Sequence, residues 1–290
     1  ERQLTIEKRE KENLQALKAL DDIDKAIPDL IGKSKAIRDI KDQILNEINS
    51  DTHVLLFGEK GTGKELIAAA IWELYSKEKK NDELYVSNLS TVPSNLIGSK
   101  LFGHKKGSFT DAGDGKDGIL KKHNGKTIFL DEIANCNLET QEKLLRVIEY
   151  GDYEVIGSDK KETYRGQIIA ATNKDIEDED EFKPDLKDRF DEILIVPPLR
   201  ERKEDIPLLI EKFNNHTDSN QQGKLILEDD LIKGLIDYSW PGNVRQLKKF
   251  IEKLVRKYGV NRRIGLADLP DRIVDMIKSK DDESNLPPCP

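Results

Sequence analysis

The stretch "HVLLFGEKGTGKELIAAAIWELYSK", residues 53–77, decides the fold. An apolar run reads as a buried strand, the segment from Gly58 to Lys64 matches G-x-x-x-x-G-K, and the continuation has helical periodicity. Strand, glycine-rich loop and helix in that order are the context a phosphate-binding loop requires. Its glycines let backbone N–H groups curl around an anion, the helix N-terminus favours negative charge, and Lys64 reaches the outer phosphate oxygens. One position departs from the general pattern: Glu65 stands where Ser or Thr would touch magnesium.

Four more short apolar runs lie outward from this stretch: "LYVSN" (84–88), "TIFLDE" (127–132), "QIIAATN" (167–173) and "EILIVPP" (192–198). Helical patterns such as "LETQEKLLRVIEYG" (138–151) separate them. Near-continuous apolar strands alternating with helices predict an α/β unit, a parallel five-stranded sheet covered on both faces, over residues 28–198. Residues 199–277 read as helices only, a small helical lid unit. Residues 1–27 form a charged helical pattern with one apolar stripe, open between a linker helix docked on its own domain and a coiled coil. The polar, proline-bearing tail 278–290 reads as disordered.

In "TIFLDE" an apolar strand ends in two acids, which delivers both carboxylates to the carboxyl edge of the sheet, where open α/β folds bind ligands. Beside a phosphate loop, Asp131 is expected to hold Mg2+, directly or through water, and Glu132 to polarise an attacking water.

Composition narrows the class. Of 290 residues, 36% are apolar and 36% charged, and no stretch is long and apolar enough to span a membrane. No secretory leader is visible, and Cys136 and Cys289 lack a ligand-spaced partner, so the chain reads as cytoplasmic, without disulfide framework or zinc site. A net charge of −8 argues against a broad nucleic-acid-binding surface. His104 and His123 are isolated and read as surface or packing residues. The first residue is Glu, which suggests a processed form or an excised fragment.

Seven stretches, in order, carry a family resemblance: "GEKGTGKE", "LFGHKKGSFTDA", "TIFLDEI", "EKLLRVIEYGDYEVIG", "IIAATNKDI", "PPLRERKEDI" and "WPGNVRQL". Over residues 29–270 the chain resembles the AAA+ domain of sigma-54-dependent transcription activators, the bacterial enhancer-binding proteins. The resemblance implies an AAA+ P-loop NTPase that uses ATP and Mg2+, forms a hexameric ring and contacts the sigma-54 factor of RNA polymerase. DNA contact is expected only through domains outside this chain.

The resemblance also distributes roles. Ile31 and Gly32, with Gly58, Glu59, Lys60, Gly61, Thr62, Gly63, Lys64 and Glu65, are implied as nucleotide contacts. Asn173 matches the sensor of the γ-phosphate, and Arg245 the second sensor, from the lid. Asn88 matches the residue that pairs with the catalytic glutamate, here Glu132. In "FKPDLKDRF", Arg189 matches an arginine finger presented to a neighbouring subunit, and Lys183 stands where the family has a second arginine. A loop insertion near 103–113 contains Gly107-Ser108-Phe109-Thr110-Asp111-Ala112, the counterpart of the family's GAFTGA loop, with Phe109 and Thr110 as partner contacts. Asp111 replaces a glycine and adds one carboxylate per subunit, which leaves open a different protein client, and a nucleotide-dependent assembly switch with little hydrolysis is the third reading.

Overall fold

The computed structural model describes residues 27–75, 83–106, 115–215, 224–259 and 261–278. The expected linker helix up to residue 26, the loop residues Phe109, Thr110 and Asp111, and the expected disordered tail from 279 lie outside the described residues.

The first part of the chain runs through α1 (Lys35–Glu47), β1 (Val54–Phe57), α2 (Lys64–Tyr75), β2 (Tyr85–Asn88), α3 (Ser94–Phe102), β3 (Gly103–His104) and β4 (Lys116–Asp117). It continues through α4 (Ile119–Lys122), β5 (Ile128–Asp131), α5 (Leu138–Tyr150), β6 (Asp152–Glu154), β7 (Lys161–Thr163), β8 (Ile168–Thr172), α6 (Pro184–Lys187) and β9 (Glu192–Ile195). Five strands form one sheet in the order β2-β5-β8-β1-β9, and every neighbouring pair is parallel. These are the five strands that the apolar runs predict. Burial explains their composition: all five residues of β8 are inaccessible, whereas the edge strands β2 and β9 leave Val86 and Ile195 exposed. Helices supply the covering layers, with Leu101, Phe102 and Leu144 in one buried cluster with Leu55 and Leu130 of the sheet.

Register sets up the carboxyl edge. Asn88 pairs with Asp131, Asp131 with Ala171, and Phe57 with Thr172, so β2, β5, β8 and β1 end nearly flush. Helix α5 starts at Asn137, whose side chain accepts from Thr140 N, and stops at Gly151 in the left-handed conformation. The loop insertion leaves from the short antiparallel ribbon of β3 and β4. Ile156 N donates to Gly103 O at 3.1 Å and Lys105 N to Ile156 O at 3.0 Å, which ties this ribbon to the hairpin of β6 and β7.

A compact second unit comprises residues 27–41, 59–63 and 197–278, and the first comprises 42–58 and 64–196. This division differs from the single expected boundary at residue 198: the middle of the phosphate loop belongs with the helical unit because its hydrogen-bond partners lie there. The helical unit contains α7 (Ile206–Asn215), α8 (Asp229–Asp237), α9 (Asn243–Tyr258) and α10 (Asp271–Lys278). It is not purely helical as expected. Strands β10 (Ile226–Leu227) and β11 (Arg263–Ile264) pair in parallel, too short to produce a readable alternation in sequence. Lys278 closes α10, so the described helix takes the first residue of the expected tail.

Trp240 centres this unit. It is fully buried, donates Nε1–H to Leu235 O at 2.7 Å, and meets Tyr238 and Phe250 edge-on at 5.0 and 5.8 Å. Replacing Trp240 with Ala is expected to lower stability by about 3–5 kcal/mol, measured by chemical denaturation. A loss below about 1 kcal/mol would show that the unit does not depend on this ring.

Candidate functional site

β1 ends at Phe57, and Gly58 N still donates to Thr172 O at 3.2 Å before the chain leaves the sheet. From there five successive carbonyls are each taken up. Gly58 O accepts from Lys64 Nζ at 2.6 Å, Glu59 O from Thr62 Oγ1 at 2.9 Å, and Lys60 O from Asn243 Nδ2 at 3.0 Å. Gly61 O accepts from Arg245 N at 3.2 Å and Thr62 O from Arg202 Nη2 at 2.7 Å. Across a planar trans peptide the C=O and the following N–H point in opposite directions. Engaging the carbonyls of 58–62 therefore directs the N–H groups of 59–63 to the opposite side, the disposition an anion needs. Gly61 and Gly63 have φ of 78° and 110°, which side chains avoid, and a methyl group at Gly61 would collide with Gly242 O. Glu65 lies exposed in the first turn of α2.

Two acids follow β5, and the backbone sends them different ways. Asp131 keeps strand geometry opposite Asn88, whose Nδ2 donates to Asp131 Oδ2 at 2.8 Å. Glu132 is left-handed at φ 59° and ψ 49°, a sparsely populated region for a residue with a Cβ. That turn carries its carboxylate to the end of β8. With the Asn173 amide nitrogen facing it, Nδ2 lies 2.5 and 2.9 Å from Glu132 Oε2 and Oε1, while the other orientation sets oxygen against oxygen. The expected pairing of Asn88 with Glu132 is thus corrected: Asn88 holds Asp131, and Asn173 holds Glu132. Strand register explains the first contact and the left-handed turn the second. Asn88 is fixed in turn because its Oδ1 accepts from Ser90 N and Ser90 Oγ at 2.9 and 2.6 Å.

The remaining expected residues divide between the two units. Arg189 Nε pairs with Glu149 Oε2 at 3.2 Å and Lys183 Nζ with Glu142 Oε2 at 2.7 Å, so both cations lie along α5 and neither meets Asp131 or Glu132. In the helical unit Ile31 packs against the Trp240 core, and a Cβ on Gly32 would press on Asp205 Oδ2 at 2.8 Å. Arg245 touches the loop through its backbone N–H. His123 stacks on Tyr85 at 3.9 Å, and His104 Nδ1 lies 2.7 Å from Ser99 Oγ, so both serve packing. Burial pushes the Cys136 thiol up to about 12 and leaves it a protonated core residue.

Sequence reasoning missed Arg200, Arg202, Asp205 and Asn243. Arg200 forks Glu59 through Nη1 and Nη2 at 2.9 and 2.5 Å. Asp205, fully buried, accepts from Lys33 N, Ser34 N and Ser34 Oγ at 2.6, 2.8 and 2.7 Å. The signal was present in "LRERKEDI", a charged run entering a helix, where buried charges look like solvated ones until their partners are known.

Residues 30–196 match the model of the sigma-54 interaction domain, and residues 200–286 that of the AAA+ ATPase lid domain. The chain belongs to the sigma-54 interaction domain family. It is 40% identical over 231 residues to the Nif-specific regulatory protein of Klebsiella pneumoniae, covering 78% of this chain and 44% of that one. Its identity to the signal-transduction and transcriptional-control protein of Clostridium beijerinckii is 42% over 238 residues, with coverage of 80% and 37%. The crystal structure of NtrX from Brucella abortus in complex with ATP superimposes with a TM-score of 0.75 at 29% identity, covering 89% of this chain and 57% of that one. The chain spans less than half the length of these two curated relatives.

The hydrogen bonds from Arg200 hold the Glu59 carboxyl below the usual glutamate range; burial opposes them and the Asn243 amide adds to them. A depressed folded pKa means that the pairing stabilises the chain above the ordinary glutamate pKa and is lost as pH falls through the lower value. Carboxyl NMR titration of Glu59 is expected to give a midpoint below that of a free glutamate, and Arg200→Ala to raise it. An unchanged midpoint in the variant would contradict the assignment.

Proposed function

We propose that this member of the sigma-54 interaction domain family binds and hydrolyses ATP as a homo-oligomeric hexameric ring, in the cytoplasm, and uses the cycle to remodel the sigma-54 RNA polymerase closed complex. One observation carries the reading: the carboxyl edge of the parallel sheet collects the start of the phosphate loop, Asp131 held by Asn88, and Glu132 held by an amide after β8. The family, relatives named as transcription regulators, and a structural neighbour crystallised with ATP support it. Among the described residues no helix is long and apolar enough to cross a membrane.

In this reading Lys64 exchanges the Gly58 carbonyl for the β- and γ-phosphates, and the N–H groups of 59–63 cradle them. Asn173 fixes the Glu132 carboxylate, which accepts a hydrogen bond from the attacking water and orients it in line with the γ-phosphorus. The donor set suits magnesium that arrives with its nucleotide. Among the described residues there is no cluster of three or more metal-ligating side chains, and such an ion needs only one or two carboxylates beside phosphate oxygens and waters. Asp131 would hold it, and the ion would neutralise phosphate charge. Arg189 of one subunit, with Lys183 assisting, would reach the ATP of the next, so turnover depends on assembly. Phe109 and Thr110 would contact sigma-54.

Trapping with ADP–aluminium fluoride tests the partner. A complex with purified sigma-54 on gel filtration, lost in Phe109→Ala, is the expected result. Hydrolysis without a complex would point to another client, which Asp111 in the loop favours. Glu132→Gln is expected to keep ATP affinity while turnover falls at least about 100-fold, by phosphate release. Wild-type turnover in that variant would refute the role of Glu132.

A further inference from the structure

Asn243 is fully buried at the start of α9, in a turn where both it and Trp240 are left-handed, at φ 53° and 51°. Asparagine tolerates this region better than most residues, and Asn243 N closes the turn on Trp240 O at 2.7 Å. Its side chain is used at both ends. Oδ1 accepts from Leu199 N at 2.7 Å, while Nδ2 donates to Glu59 Oε2 and Lys60 O, both at 3.0 Å. One buried amide thus joins the chain entering the helical unit to the first two residues of the phosphate loop after Gly58. The contacts are directional as well as tight. An amide donates only from nitrogen and accepts only at oxygen, so no other orientation satisfies Leu199 N, Glu59 and Lys60 together. Two residues on, Arg245 N takes the next carbonyl, Gly61 O, at 3.2 Å.

We infer that Asn243 is a positioning residue for nucleotide binding: its amide turns the Lys60 carbonyl away from the phosphate side and presents the following N–H groups as a preformed cradle. This rests on the ATP-binding reading above. Asn243 acts through the loop and does not touch the nucleotide. Glu59 belongs to the same latch. Its carboxylate is held between Arg200 and Asn243, so its side chain braces the loop against the helical unit rather than facing phosphate. Without the latch the loop must be ordered by each incoming ATP, which weakens binding and leaves the chemical step intact.

Two variants separate positioning from folding. Asn243→Gly accepts the left-handed backbone and removes only the amide. Asn243→Asp keeps the shape and the Leu199 bond but sets a second carboxylate against Glu59, and Glu59→Gln in the same chain restores a donor to that contact. Each single variant is expected to raise the KM for ATP about tenfold, the loss expected for one buried hydrogen bond to a charged or loop-fixing group, with kcat within about twofold. The Asn243→Asp, Glu59→Gln pair is expected to recover most of the Asn243→Asp loss, a rescue that a purely structural role does not produce. Amide hydrogen exchange of residues 59–63 without nucleotide is read in parallel, with faster exchange expected in Asn243→Gly. Unchanged KM together with unchanged exchange overturns the inference. A fall in kcat and unfolding midpoint without rescue in the pair also overturns it, by making Asn243 a folding residue. Faster loop exchange in a protein whose wild type binds no ATP supports the latch and refutes the ATP-binding reading instead.

Discussion

A phosphate loop works only if its peptides face the right way, and in this chain their direction is set from behind. The planar peptide makes carbonyl and N–H a single lever, so whatever grips the carbonyls of residues 58–62 orients the donors of 59–63. The grip comes from Lys64, Thr62, the Asn243 amide, the Arg245 backbone and the Arg202 guanidinium. Arg202 is almost fully buried, and leaving such a charge without its partners would cost several kcal/mol, so the arrangement resists relaxation. The glycines at 61 and 63 permit the path, but the polar contacts choose it.

The same economy of backbone direction separates the two acids that follow β5. Adjacent residues in a strand point to opposite faces, and a regular Glu132 would point to the face of the sheet opposite Asp131. The left-handed turn at Glu132, of the kind that costs about 1–3 kcal/mol, places both carboxylates at one edge with different amide partners. Two amides, at the ends of the strands β2 and β8 that flank β5, then fix two carboxylates independently. In the proposed function Asp131 holds the cation and Glu132 orients the attacking water.

Much of this was legible in the sequence. Five apolar runs gave five parallel strands because strands buried on both faces leave a continuous apolar signature. The loop motif and the acidic strand end were legible because each needs fixed residue types at fixed spacing. What stayed hidden depends on backbone conformation or on distant pairing. That Asn173 rather than Asn88 faces Glu132 goes with one φ angle at Glu132, which no residue pattern announces. The attachment of residues 59–63 to the helical unit comes from contacts between residues about 140–184 apart in the chain. Strands β10 and β11, at two residues each, are shorter than any alternation can reveal.

The most direct measurement is phosphate release per chain at saturating ATP across a wide range of protein concentration. Turnover per chain is expected to rise steeply with concentration, since the cradle and Glu132 lie in one chain while Arg189, paired here with Glu149, is proposed to complete the site of a neighbour. Turnover per chain that stays constant from the most dilute to the most concentrated sample, or none at all in a protein shown to bind ATP, would contradict it.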